Sequence, residues 1–130
     1  MKKQLIFISA FLLLGTATIS AQEKMTPESM WKLARVSDPR ISPDGKTIVY
    51  GVKNFDIEAN KGNSDLFTIS PAGGTPMLIA GGTDNDFNAR WRPDGKKIAY
   101  LTSKSGSTQI WVMDPDGNNK QQFTDIKGDI

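Results

Sequence analysis

Neither cysteine nor histidine occurs anywhere in the 130 residues. The first absence excludes a disulfide framework, a thiolate metal site and a lipid-modified N-terminal cysteine. The second removes the usual general base of nucleophilic hydrolysis. The nucleophile side is equally bare, since Gly62-Asn63-Ser64 and Gly106-Ser107-Thr108 both fail the Gly-x-Ser-x-Gly elbow. A Ser-His-Asp triad is therefore excluded within these residues. An excess of charge of one sign is also missing, with a formal net charge of +2. There is no Asn-x-Ser/Thr sequon, and glutamate is limited to Glu23, Glu28 and Glu58.

A long apolar run occurs only at the start. Lys2 and Lys3 precede Leu5 to Leu14, and the small or polar residues Gly15 to Ala21 follow. This is the three-part pattern of a secretory signal peptide. The apolar core is about ten residues, against roughly 20 for a spanning helix. Cleavage after Ala21 is expected, leaving Gln22 as the new N-terminus and a periplasmic or secreted protein. Removing Lys2 and Lys3 takes the basic count from 16 to 14, equal to the 14 acids. The mature chain then has no basic footprint for nucleic acid and no polybasic membrane patch.

What is present is a repeat. Arg40-Ile41-Ser42-Pro43-Asp44-Gly45-Lys46-Thr47-Ile48-Val49-Tyr50 aligns with Arg90-Trp91-Arg92-Pro93-Asp94-Gly95-Lys96-Lys97-Ile98-Ala99-Tyr100 at an offset of 50. Leu66-Phe67-Thr68-Ile69 aligns with Ile110-Trp111-Val112-Met113 at an offset of 44, as do Gly73 with Gly117 and Ile79 with Phe123. The difference falls between Tyr50 and Leu66, so 53–64 is expected to be a longer loop in the first unit. Each Pro-Asp-Gly presets a turn. After it, 47–52 and 97–102, then 65–69 and 109–113, read as strands, with weaker strands at 75–80 and 121–124. Pro71-Ala72-Gly73-Gly74 and Pro115-Asp116-Gly117-Asn118 close the hairpins between them.

Four short strands per unit at this period mean propeller blades. Ahead of them, Thr26 suits a helix cap, Pro27 its first turn and Glu28 its positive end, which predicts a helix from Pro27 to about Ala34. The expected organisation is a signal peptide (1–21), a lead-in segment with a short helix (22–38), blade 1 (39–83) and blade 2 (84–130). The fold class is all-β, an incomplete β-propeller of two four-stranded blades. Closed propellers need roughly four to eight blades, so the chain reads as a fragment or truncated product.

The second unit, from Arg90 through Gly117, resembles the propeller repeat of the Tol-system periplasmic protein and of prolyl oligopeptidase family serine peptidases. The segment Met25-Thr26-Pro27-Glu28-Ser29-Met30-Trp31-Lys32-Leu33-Ala34-Arg35-Val36-Ser37-Asp38-Pro39 separates the two. It resembles the start of the propeller in the acylaminoacyl-peptidase-like and dipeptidyl-peptidase-like branch of that family, as does Asn60-Lys61-Gly62-Asn63-Ser64-Asp65-Leu66. The resemblance implies a C-terminal α/β-hydrolase domain, absent here, that carries the triad and acts on peptide substrates. It also implies a propeller that caps that site and screens substrates by size.

No residue of this chain is assigned a catalytic, cofactor-binding or metal-binding role, and no cofactor is expected. Asp114, Asp116, Asn118 and Asp125 sketch an EF-hand loop, but Asn119 stands where glycine is required and Asp125 where glutamate is usual. Asp84-Asn85-Asp86 is read as a solvated inter-blade loop. Trp91, Trp111, Tyr50, Tyr100 and Phe67 are read as inter-blade core rather than a stacking platform. Trp31 is open to docking on another domain, Lys46 and Lys96 are read as solvated, and neither Glu28 nor Glu58 matches the glutamates that hold a substrate amino terminus in dipeptidyl peptidases. The expected function is the propeller part of an exported serine peptidase acting on short peptides. The alternatives are a non-enzymatic Tol-type propeller that binds protein partners and a sugar-reading propeller.

Overall fold

The computed structural model describes residues 24–130. The expected signal peptide, 1–21, lies outside the described residues. A short helix α1 (Pro27–Trp31) is followed by β1 (Arg35–Ile41), β2 (Ile48–Asp56), β3 (Lys61–Ile69) and β4 (Met77–Ala80). The second unit comprises β5 (Asp86–Trp91), β6 (Ile98–Thr102), β7 (Gln109–Met113) and β8 (Gln121–Gln122). They form two four-stranded antiparallel meanders, β1-β2-β3-β4 and β5-β6-β7-β8. These are two propeller blades. Among the described residues no helix is long and apolar enough to cross a membrane.

The turns follow their local chemistry. Gly45 and Gly95 take φ values of +71° and +70°, the left-handed region that disfavours a Cβ. Each donates its N–H back to the residue before proline, Gly45 to Ser42 at 2.9 Å and Gly95 to Arg92 at 2.8 Å. The aspartates close the turns by accepting from the amides of Lys46 and Lys96. Period-two alternation then sorts the strands. Val49 and Leu66 of the first sheet are buried against Ile98, Tyr100 and Met113 of the second, in one core between the blades, with Trp91 and Trp111 packed on it.

Three sequence expectations change. The helix stops at Trp31, with Lys32 as its C-cap, because Arg35 is already paired with Lys53 in the sheet; Met30 and Leu33 stay exposed. The first blade's sheet accordingly begins at Arg35, ahead of the expected residue 39. The segment 53–64 is not a loop. The β2–β3 ladder continues through Lys53–Ser64 and Asn54–Asn63 to Asp56–Lys61, leaving only 57–60 as the turn. The extra residues lengthen both arms of a hairpin, which satisfies their backbone groups pairwise.

Two equivalences escaped the motif alignment. Asp38 (φ 49°) and Asn88 (φ 59°) sit at matching bulges in β1 and β5, where Asp and Asn tolerate the left-handed region. Midway along β3 the Asp65 carboxylate accepts from the Gly82 amide at 3.3 Å. At the start of β7 the Gln109 side-chain carbonyl accepts from the Ile126 amide at 3.1 Å. Both pairs lie 44 residues apart, so the same side-chain position fastens the exit of each blade. Gln109 is 1% exposed and also donates to the carbonyls of Ile126 and Gly128.

Candidate functional site

The lengthened β2–β3 hairpin and α1 meet at one end of the first blade. The capping box of α1, Thr26 with Ser29, fixes how the helix starts. Its last residue, Trp31, meets Phe55 edge to face at 5.2 Å. The Arg35 guanidinium lies over both rings, at 5.0 Å from Trp31 and 4.6 Å from Phe55, and the Lys53 ammonium is 5.3 Å from Phe55. Beside them opens a groove of about 390 Å³ whose walls include Trp31, Phe55, Ile57 and Lys61. An aromatic floor with a cationic rim suits an apolar or aromatic side chain, or a carboxylate at the rim. It offers no nucleophile–base pair. Neither Trp31 as a partner of Phe55 nor Phe55 itself was legible in the sequence, where 53–64 carried only loop signals.

The opposite end carries the Pro-Asp-Gly turns. A groove of about 440 Å³ runs between them, past Pro43, Trp91, Asp94 and Pro115. Its acids are engaged locally. The Arg92 side chain and the Lys96 amide hold the Asp94 carboxyl down to about 2.

The other residues singled out in the sequence fall as follows. Asp114 takes Lys97 at 2.7 Å and Asn119 at 2.6 Å, while Asp116 takes Asn118 at 2.8 Å, so these oxygens point to separate partners. Among the described residues no group of three or more potential ligands converges on one point. Asp84 and Asn85 lie in the connection between β4 and β5, both half-buried, and only Asp86 departs from the expected solvated loop. Asn85 accepts from the Ser64 amide at 3.1 Å and so joins the blades, and Asp86 opens β5 at 5% exposure. Burial pushes the Asp86 carboxyl up, partly opposed by a hydrogen bond from Thr102 and reinforced by Asp84 and Asp65. Tyr100, beneath it, is pushed up to about 12 by burial and then by Asp86 and Asp84. Tyr100, Trp91 and Trp111 belong to the inter-blade core. Tyr50 stacks on Phe67 at 5.9 Å on the face turned away from the second blade. Lys46 and Lys96 are exposed, Glu28 is in the first turn of α1, and Glu58 is exposed on the hairpin turn.

Comparison with known proteins gives this geometry a context. No family model matches the chain. It is 37% identical over 115 residues to dipeptidyl-peptidase 5 of Porphyromonas endodontalis, a match covering 88% of this chain and 17% of that protein. Acylaminoacyl peptidase of Pyrococcus horikoshii superposes with a TM-score of 0.63 at 26% identity, over 76% of this chain and 15% of the other. The two blades are propeller repeats of the prolyl oligopeptidase family. The β-propeller domain of the trilobed protease of Pyrococcus furiosus also superposes on these repeats, with a TM-score of 0.54 at 26% identity over 70% of this chain and 27% of that one. A protein assigned as TolB from Agrobacterium tumefaciens gives 0.55 at 26% identity, over 66% of this chain and 29% of its own. As a prolyl oligopeptidase family segment, the chain spans about 17% of the length of the curated relatives it matches first.

Proposed function

We propose that this chain is the opening propeller portion of an exported serine peptidase that hydrolyses short peptides, and that its blades help limit which substrates reach the active site. The catalytic triad would lie in a C-terminal α/β-hydrolase domain. One observation carries the reading. A match covering 88% of the chain must take in the lead-in segment as well as the repeats, and the relative so matched is a dipeptidyl-peptidase. Repeats alone are shared with non-enzymatic propellers, so the lead-in segment is what discriminates. The aromatic groove formed by Trp31 and Phe55 lies in that same region, where it could contact a substrate or the catalytic domain.

The likeness to TolB supports a second reading, a periplasmic propeller that binds protein partners. An antibody to this chain and a fluorophosphonate probe separate the two. In extracts of the source organism, the peptidase reading expects the antibody to capture a polypeptide that the probe labels, in an exported fraction. A captured polypeptide that stays unlabelled while retaining protein partners would overturn it. The purified chain, which has no histidine to act as base, should not turn over dipeptide or acyl-amino-acid reporters.

A further inference from the structure

We propose that the connection between the two blades is a proton-operated clasp, closed while the Asp86 carboxyl is neutral and loosened when it ionises. The connection, residues 81–85, leads from β4 into β5 and is held on both sides. Toward β3, the Gly82 amide donates to the Asp65 carboxylate at 3.3 Å, and the Gly82 carbonyl accepts from the Asn63 side chain at 2.8 Å. The Ser64 amide donates to the Asn85 side chain at 3.1 Å. Toward the second blade, the Asn85 amide donates to the Ser103 hydroxyl at 3.1 Å. Gly81 lets the chain pass close to Asp65, since a Cβ there would stand 2.7 Å from that carboxylate.

Three carboxyl groups gather at this connection. Asp65 comes from β3, Asp84 from the connection itself and Asp86 from the first position of β5. Asp65 and Asp84 are half-buried, and Asp86 is 5% exposed. The other groups that face Asp86 are Thr102 and Tyr100 of β6 and Lys120, just ahead of β8. Thr102 supplies a hydrogen bond, and the Lys120 ammonium also donates to the Gly117 carbonyl at 2.6 Å. These two blades cover Asp86 by themselves, so its burial needs no further part of the polypeptide.

A buried carboxylate beside two like charges is disfavoured, and either a proton or access to water relieves it. Burial, reinforced by Asp84 and Asp65, raises the Asp86 carboxyl against the Thr102 hydrogen bond. Below the raised value Asp86 is neutral, adds no repulsion, and the connection stays shut. Above it, opening returns the carboxylate to water and separates it from its like charges. The opened form then binds fewer protons and gains on the closed one as the pH rises. Asp86 stands opposite Thr102 in the first pair of the β5–β6 ladder, where fraying breaks the fewest bonds. The core around Val49 and Met113 can therefore stay packed while the clasp opens.

Amide exchange of the full chain, resolved by residue between about pH 4 and about pH 8 and corrected for the intrinsic pH dependence of exchange, tests this. In wild type, protection at Ser64, Gly82 and Asn85 should fall by about threefold or more as Asp86 ionises, while Val49 and Met113 hold theirs. Asp86→Asn should keep the three clasp amides protected across the whole range. Asp84→Asn removes one facing charge and leaves Asp86 in place, so the fall should move to lower pH. That variant keeps the test sharp if Asp86→Asn unfolds. Clasp protection that does not change with pH in wild type would overturn the proposal. So would a fall that persists in Asp86→Asn, a fall that Asp84→Asn leaves unmoved, or a loss that Val49 and Met113 share in step.

Discussion

Asp38 of the first blade and Arg90 of the second form an ion pair across the seam between the sheets. The same carboxylate takes Arg40 at 2.8 Å, so one acid ties together the equivalent arginines of successive repeats. The hydrogen bond from Arg90 is the main reason that the Asp38 carboxyl is held below its usual range. A carboxyl depressed by folding stabilises the fold above its unfolded value and loses that contribution as the pH falls through the folded one.

Replacing Asp38 by Asn removes the charge but keeps a residue that accepts φ 49°, as Asn88 does in the second blade. Both arginines remain largely exposed, so the expected cost near neutral pH is about 0.5–1 kcal/mol. Urea unfolding of Asp38→Asn and wild type should converge as the pH falls well below about 3.9, the ordinary aspartate value. A difference that persists undiminished in acid would mean the pair is not its source.

Gly117 and Gly73 share a turn type and differ in what stands beside them. Gly117→Ala adds both left-handed strain and a collision with the Ile79 backbone, whereas Gly73→Ala adds strain alone. Strain of this kind costs on the order of 1–2 kcal/mol, which is also the expectation for Gly95→Val at φ +70°. Gly117→Ala should therefore lower the thermal midpoint the more of the two. Equal effects would contradict the packing of Gly117 on Ile79.

Asp86 gives the opposite pH dependence from Asp38. Its carboxyl is pushed up by burial in the folded state, so the neutral form is favoured there. Folding is then penalised as the pH rises from the unfolded value through the raised one, and the penalty is complete above it. Asp86→Asn should raise the urea midpoint at neutral pH, and the gain should shrink as the medium becomes acid enough to protonate Asp86 in both states. A loss of stability at neutral pH would show that the ionised carboxylate is engaged in bonds worth more than its desolvation.

Export should leave its mark on the N-terminus. From the run Leu5 to Leu14 and the small residues ending at Ala21, we propose cleavage before Gln22. Mass spectrometry of the exported protein should find Gln22, or its cyclised form, at the start. Exported protein that retains Met1 or Lys2 would exclude this processing.

The sequence alone determined the repeat, the all-β class, the Pro-Asp-Gly turns with their left-handed glycines, and Trp91, Tyr100 and Trp111 as packing residues. Each depends on a few neighbouring residues, through turn chemistry or period-two alternation, and is legible without knowing what lies across the sheet. The tertiary structure decided what depends on partners distant in the chain. Asn54 and Asn63 read as loop residues, yet opposite one another they extend a ladder that carries Phe55 out to Trp31 and Arg35. Asp84-Asn85-Asp86 reads as solvent-facing, yet Asp86 is covered because the first blade lies over it. Tyr50 and Tyr100 occupy the same place in the repeat, and only Tyr100 is buried. A strand's own residues set which side chains share a face, but burial of that face depends on whether another sheet covers it.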